Sequence, residues 1–432
     1  MSLLNRYDDL TRRDFVRSAA LALLGLSCAP ALMGFQAADA SATVTISPRK
    51  PTGKNVIYLY MSGGMSHIDT FDTKPGVKEQ GPVQTIDTVA DGVRIAEYFP
   101  LLAKQMNHVA LIRSMSSNQG AHEQGNYFMH TSYNLRGTIR HPAIGSWLLN
   151  YSGRTNPTIP GNVIIGGGSN YPANGFLEPK YAPVMLGRAT DGLKYSRRAP
   201  NVNDHEFNQR YAALQRFNKD FSARVPDSDV HAYQDVYDEA ISLMKSSDLA
   251  AFSLADEPQK VRDAYGNAPF GQGCLLARRL VEHGVRYIEV ELGGWDTHTD
   301  NFDRLDDLTA VLDRGMATLL QDLDQRGLLD ETVVVLCSEF GRSPEITDTQ
   351  GRNHYPRAFS TLLAGGGIKG GQVYGATDAT ASLVTENEVT IPDFNATIGY
   401  ALGLPLATVV HSPSGRPFTM ADHGQPLMAL FG

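Results

Sequence analysis

The sequence predicts an α/β fold: a doubly wound, mostly parallel sheet with helices on both faces, carrying a helical and loop insertion. Short apolar runs such as "NVIYLYM" and "TVVVLCS" have the length and the lack of alternation expected of strands buried on both faces. From Glu257 onward such runs alternate regularly with helical text, the pattern of a parallel sheet wrapped by helices. Polar, glycine-bearing loops follow the runs, and in open parallel sheets functional loops gather at the carboxyl ends of strands. At 432 residues the chain suits one sizeable core with insertions.

The elements follow in order. Residues 11–41, "TRRDFVRSAALALLGLSCAPALMGFQAADAS", join a twin-arginine pair, an apolar run and a small-residue exit ending in Ala38-Asp39-Ala40. That order predicts a Tat signal peptide over residues 1–40, export to the periplasm or beyond, and no transmembrane segment after cleavage, leaving an α/β domain over 41–432. Asn55 to Met61 reads as a strand, residues 95–105 as a helix, "HVALIRSM" as a strand, and "SSNQGAHEQGNYFMHTS" as a loop turning into a helix. Asn162 to Gly168 reads as another buried strand. Residues from about 169 to 255 change character, with aromatic and proline-bearing text before polar helical text, and read as an insertion or cap. Then come helix "GQGCLLARRLVEHG", strand "VRYIEVEL", a long helix, strand "TVVVLCS" and "FSTLLAGGG". In the long helix Leu305, Leu308, Leu312, Met316, Leu319 and Leu323 recur at three- and four-residue spacing, one buried stripe.

The formal charge of −8 and the pI near 5.8 argue against a general nucleic-acid binder or a basic membrane-surface protein. Beyond the leader only Cys274 and Cys337 remain, too few for a disulfide framework; both read as buried small apolar residues. The triple glycines at 166–168 and 365–367 lack the order of a dinucleotide fingerprint or a P-loop and read as tight turns.

Chemistry concentrates in four loops that follow predicted strands: "SGGMSHIDTFD", "GGWDTHTDNF", "SEFGRSPE" and "GRNHYPRAF". Histidine and carboxylate are the side chains from which zinc and manganese sites are built. Asp296 and His298 are two residues apart, so an extended backbone points both to one side, where they could grip one ion; equally, the segment could be a capped helix entry with Trp295 in the core. Glu339 stands just past an apolar strand as a metal ligand, a general acid or base, or a partner for Arg342. His354 lies between Arg352 and Arg357, which favours its neutral, ligating form. Ser66 and His67 are candidate nucleophile and base, although sequence neighbours rarely face each other, and His67 and Asp69 also read as metal ligands or their support. His122, Glu123 and His130 make a further reservoir of ligands, with exposed surface polarity as the alternative. Asp422-His423-Gly424 follows no clear strand and is set aside.

Taken in order, "GGMSHIDTFDTKPG", "GQGCLLARRLVEHGVRYIEV", "GGWDTHTDNF", "DLDQRGLLDETVVVLCSEFGRSP", "GRNHYP" and "LLAGGGIKGGQVYGATD" resemble the bacterial family called domain of unknown function 1501 over nearly the whole mature chain. That family in turn resembles the alkaline phosphatase and sulfatase superfamily, whose members hydrolyse phosphate or sulfate esters at metal ions. The resemblance implies a divalent metal (zinc, manganese or calcium, in unknown number) held by Asp296, His298 and His354 with Glu339 and Asp69. It implies an anionic ester as substrate, bound with the help of Arg342, Arg352 and His122. The spacing here is Asp-x-His where the superfamily has Asp-x-x-x-His, and "SSNQGAHEQG" has no matching nucleophile. A different class of reading therefore stands beside the hydrolase: an exported binding or assembly protein that retains the fold without the chemistry.

Overall fold

The computed structural model describes residues 50–167, 171–194, 196–225 and 228–432, with backbone alone for 228–236. The predicted signal peptide lies outside the described residues.

The principal sheet runs through β1 (Asn55–Tyr60), β2 (Val109–Ser116), β3 (Asn162–Ile165), β4 (Val184–Leu186), β5 (Tyr287–Glu291), β6 (Thr332–Cys337), β7 (Phe359–Ala364) and β8 (Gln372–Tyr374), with β9 (Val389–Thr390) beside β2. Their spatial order is β8-β2-β7-β6-β1-β5-β3-β4. All neighbouring pairs are parallel except those of β7, which runs antiparallel to β2 and to β6. This is the predicted mixed, mostly parallel sheet.

β1 shows why both faces are covered. Ile57 and Leu59 pack into one buried cluster, whereas Val56, Tyr58 and Tyr60 pack into the other. Successive side chains on a strand alternate faces, so a strand apolar throughout needs a partner layer on each side. The first layer is built chiefly by α6 (Pro269–Glu282) and α7 (Asn301–Gln325), the second by α1 (His122–Thr131), α2 (Ile144–Ser152) and α8 (Ile391–Ala401). The predicted stripe of α7 holds, with Leu305, Leu312, Met316, Leu319 and Leu323 buried and Leu308 partly buried against the same cluster. Arg278 on α6, 1% exposed, bridges Glu257, Glu282 and Asp322 at 2.6–3.0 Å and ties α6 to α7. Cys274 and Cys337 are free and buried.

Two expectations change in detail. Residues 95–105 are not one helix: a short strand, Arg94–Ala96, precedes a 3-10 helix, Leu102–His108. Pro100 explains the break, because its ring disfavours helical backbone at the residue before it. Within the stretch read as an insertion, Val184–Leu186 joins the main sheet beside β3, and α3 (Asp204–Arg224) and α4 (Ser228–Lys245) follow, ahead of α5 (Gln259–Ala264). No helix among the described residues is long and apolar enough to cross a membrane.

Candidate metal centre

Because β1, β5 and β6 are parallel neighbours, the loops after Tyr60, Glu291 and Cys337 leave the same sheet edge. The loop after β1 passes against the loop after β5 at glycine: Gly63 has φ +119°, and a Cβ there would meet the Asp296 amide nitrogen and lie 2.8 Å from the Trp295 carbonyl carbon. No L side chain fits that approach. Trp295 itself is buried at 1% exposure in the core.

Asp296 does not cap the helix that follows. The residue before α7 is Asp300, in left-handed backbone and without a side-chain cap. Instead the Asp296 carboxylate faces three imidazoles. Its Oδ1 lies 3.1 Å from His298 Nε2 and 3.2 Å from His354 Nε2, and its Oδ2 lies 3.4 Å from His122 Nε2. His298 Nε2 and His354 Nε2 are 3.0 Å apart. His354 arrives on a two-residue hairpin in which it pairs with Arg342, and His122 opens α1.

The other ring nitrogen of each histidine fixes its tautomer. His354 Nδ1 is 2.8 Å from the Gly120 carbonyl, His298 Nδ1 is 3.3 Å from Asn353 Oδ1, and His122 Nδ1 is 2.7 Å from Glu339 Oε1. All three partners are acceptors, so each Nδ1 carries the proton and each Nε2 presents a lone pair. Three lone pairs thus converge on a carboxylate. Acceptors 3.0–3.4 Å apart repel one another unless a proton or a metal ion sits among them. Among the described residues His122, Asp296 and His354 offer ligand atoms within 4.8 Å of one another, and His298, outside that mutual set, reaches Asp296 and His354 at 3.1 and 3.0 Å.

The electrostatics agree. Burial opposes the charge of Asp296, but the Arg342 guanidinium hydrogen-bonded to it holds its pKa down to about 2. The Glu339 hydrogen bond raises the pKa of His122, which strengthens its ring as a donor. Burial, with Arg342 nearby, lowers that of His354 and keeps it neutral.

Several expected roles require correction. Glu339 is 2% exposed and its oxygens are already occupied: Oε1 accepts from the Gly63 amide at 2.9 Å and His122, and Oε2 from Tyr60 at 3.0 Å and Ser338 at 3.1 Å. It orients His122 rather than ligating or transferring protons. Arg342 is fully buried and donates to the carbonyls of Gly63, Gly64 and Arg352 as well as to Asp296, so it positions the carboxylate instead of gripping a substrate anion. Asp69 and Arg352, both 0% exposed, form a bidentate pair at 2.6 and 2.7 Å. Ser66 donates to Asp69 at 2.7 Å, and Asn301 at 2.9 Å. These bonds engage Asp69, Arg352 and Ser66 with one another, and Asp69 is not among the side chains gathered with His122, Asp296 and His354. His67 is buried with Nε2 donating to the Ala381 carbonyl at 2.8 Å and Nδ1 without a hydrogen-bond partner among the described residues, burial lowers its pKa, and the Ser66 hydroxyl is given to Asp69 rather than to it. His122, expected to touch substrate, joins the ligand cluster.

A cavity of about 310 Å³ opens beside the cluster, lined on its far side by Ser62, Asn126, Tyr171, Glu289 and Glu291. Ser62 donates to Glu291 Oε1 at 2.6 Å. Glu289, 2% exposed, pairs at 3.2 Å with His130, 1% exposed. Burial opposes the His130 charge, but Glu289 raises its pKa above the ordinary value. Sequence reading passed over Glu289 and Glu291; the available signal was two carboxylates at alternate positions of an otherwise apolar strand.

The family described as Protein of unknown function (DUF1501) matches residues 53–431. The chain belongs to it. No curated protein matches the DUF1501 chain. Among solved structures, a lipoteichoic acid synthase from Listeria monocytogenes is similar at 10% identity and TM-score 0.41, covering 87% of this chain and 75% of that one. The PsFucS1 sulfatase from Pseudoalteromonas sp. is similar at 14% identity and TM-score 0.39 (89% and 72% covered). A phosphonate monoester hydrolase from Silicibacter pomeroyi is similar at 13% identity and TM-score 0.35 (88% and 76% covered).

Proposed function

We propose that the protein is an exported, metal-dependent hydrolase of phosphate or sulfate esters. One observation carries the metal: three imidazole lone pairs and one carboxylate converge, each imidazole pinned from behind by an acceptor. His122, Asp296, His298 and His354 would hold the ion. Three nitrogens and one oxygen suit zinc, or manganese after it, and are poor for calcium, which takes oxygen ligands. A divalent ion held there supplies Lewis acidity that polarises an ester oxygen.

The remaining chemistry belongs to the chain's own groups. Ser66 is spent on Asp69, so the reading uses water as nucleophile, with Glu291 on the cavity wall as the carboxylate that accepts its proton. Ser62, hydrogen-bonded to Glu291, orients that carboxylate. The arginines at the centre have their donors engaged by the protein, Arg304 included, which donates to the carbonyls of Gly294 and Asp296. With little cationic help beyond the ion, esters bearing one negative charge, such as sulfate monoesters and phosphodiesters, are favoured over dianionic phosphate monoesters.

Elemental analysis of the purified protein, beside His354→Ala, tests the metal: about one equivalent in the parent and little in the variant is expected. A panel of nitrophenyl sulfate, phosphodiester and phosphate monoester tests the reaction. Absence of bound metal in both forms sinks the proposal. Metal with no turnover on any ester favours the second reading, a metal-binding exported protein without catalysis, which the missing nucleophile and the engaged arginines support.

A further inference from the structure

A second cavity, of about 530 Å³, shares no lining residue with the first and lies between residues 190–193 and 196–197 on one side and the segment 249–262 on the other. Its charge is of the opposite kind. Four carboxylates line the first cavity, Glu289, Glu291, Asp296 and Glu339, whereas Arg197 and Arg262 line the second. Among the described residues neither arginine has an ion-pair partner, although Arg198 next door has Asp204 at 3.1 Å. The one acidic residue of the lining, Asp191, lies 3.8 Å from Lys194. The Nε of Arg262 is buried and has no hydrogen-bond acceptor. That nitrogen is shut away from solvent and so from a ligand, but the terminal nitrogens of the same guanidinium have no acceptor among the described residues and are the donors an anion in the cavity can meet. The hydroxyls of Ser196 and Ser253 share the lining, and Leu193, Leu249 and Phe252 give it an apolar wall. A neighbouring cavity of about 600 Å³ shares Ser196, Arg197 and Leu249, so the space continues past the arginines.

We propose that this cavity binds an oxyanion carried on an apolar group: a sulfonate, sulfate, phosphate or carboxylate head met by Arg197 and Arg262, with its hydrocarbon part against Leu193, Leu249 and Phe252. Guanidinium forks match such heads in geometry and hold them through charge-assisted hydrogen bonds. The proposal is for binding alone: the lining holds no histidine to activate the Ser196 and Ser253 hydroxyls, and the histidine-carboxylate cluster lines the other cavity.

Isothermal titration of the full protein with hexanesulfonate, which no esterase can cleave, tests it, with inorganic sulfate and hexanol as arms for the head alone and the tail alone. Hexanesulfonate should bind more tightly than either arm. Arg262→Gln and, separately, the surface change Arg197→Gln should each weaken it about tenfold or more, whereas Asp296→Asn should leave it unchanged. Equal affinity in the parent and both arginine variants overturns the proposal, as does no binding up to about 10 mM. Loss of binding in Asp296→Asn also overturns it, because the sulfonate would then be reporting the metal centre.

Discussion

Replacing Glu339 by Gln isolates what a charge behind a histidine contributes to a metal centre. The substitution keeps the shape. Gln can place its amide oxygen where Oε1 accepts from the Gly63 amide and His122 Nδ1, at 2.9 and 2.7 Å. Its NH₂ then takes the place of Oε2, where the Tyr60 and Ser338 hydroxyls, at 3.0 and 3.1 Å, rotate to accept. The His122 hydrogen bond survives but its acceptor becomes neutral, so the ring is a weaker donor through Nε2 and its raised pKa falls back. Carboxylates in this position are worth about 10–100-fold in metal affinity, or about 1.4–2.7 kcal/mol. Competition with a chromophoric zinc chelator measures the affinity, and thermal unfolding without metal checks the fold. Metal affinity within about twofold of the parent, with an unchanged melting temperature, would refute the assignment of Glu339 as the group that tunes His122.

Three further outcomes are expected. Gly63→Ala drives a Cβ into the Trp295–Asp296 backbone at a positive φ; it should cost about 1–3 kcal/mol in urea unfolding and remove metal binding together. His130→Leu leaves Glu289 charged and unpaired in the core and should destabilise by about 3–5 kcal/mol, whereas adding Glu289→Leu should recover most of that. His141 accepts at Nδ1 from the Tyr127 hydroxyl at 2.8 Å, and burial lowers its pKa to about 4. Between that value and the ordinary one near 6.5 the unfolded chain binds the extra proton, so stability is complete above about pH 6.5 and falls as pH drops toward 4. In His141→Gln that acid limb should flatten, as read by melting temperature against pH.

The fold was legible because its strands are apolar throughout and its helices are periodic, and both patterns are local. The break before Leu102 was legible too, had Pro100 been given more weight than the apolar spacing around it. At the site, the sequence offered Asp296, His298 and His354 as residues of one chemistry, and the structure gathers them around shared atoms. What the text could not carry was partnership at long range. Asp69 and Arg352 are 283 positions apart, and nothing near either announces that each satisfies the other. The same holds for His122 and Glu339, 217 positions apart, whose hydrogen bond turns the His122 ring toward Asp296 and engages the Glu339 carboxylate behind it. Residue type predicts chemistry, but which charge is already neutralised is settled only by packing.

The arrangement of the ligands also orders events in time. His122, Asp296, His298 and His354 are distributed so that the last enters more than two hundred residues after the first, and the hairpin that presents it pairs it with Arg342. Arg342 in turn reaches back to the carbonyls of Gly63 and Gly64, at the chain's opposite end. A ribosome-bound nascent chain therefore holds no competent ligand set for most of its synthesis. On the proposed reading, capture of an ion would follow the docking of the segment around Arg342 onto the loop after β1, and a loaded protein would report that these distant segments had met.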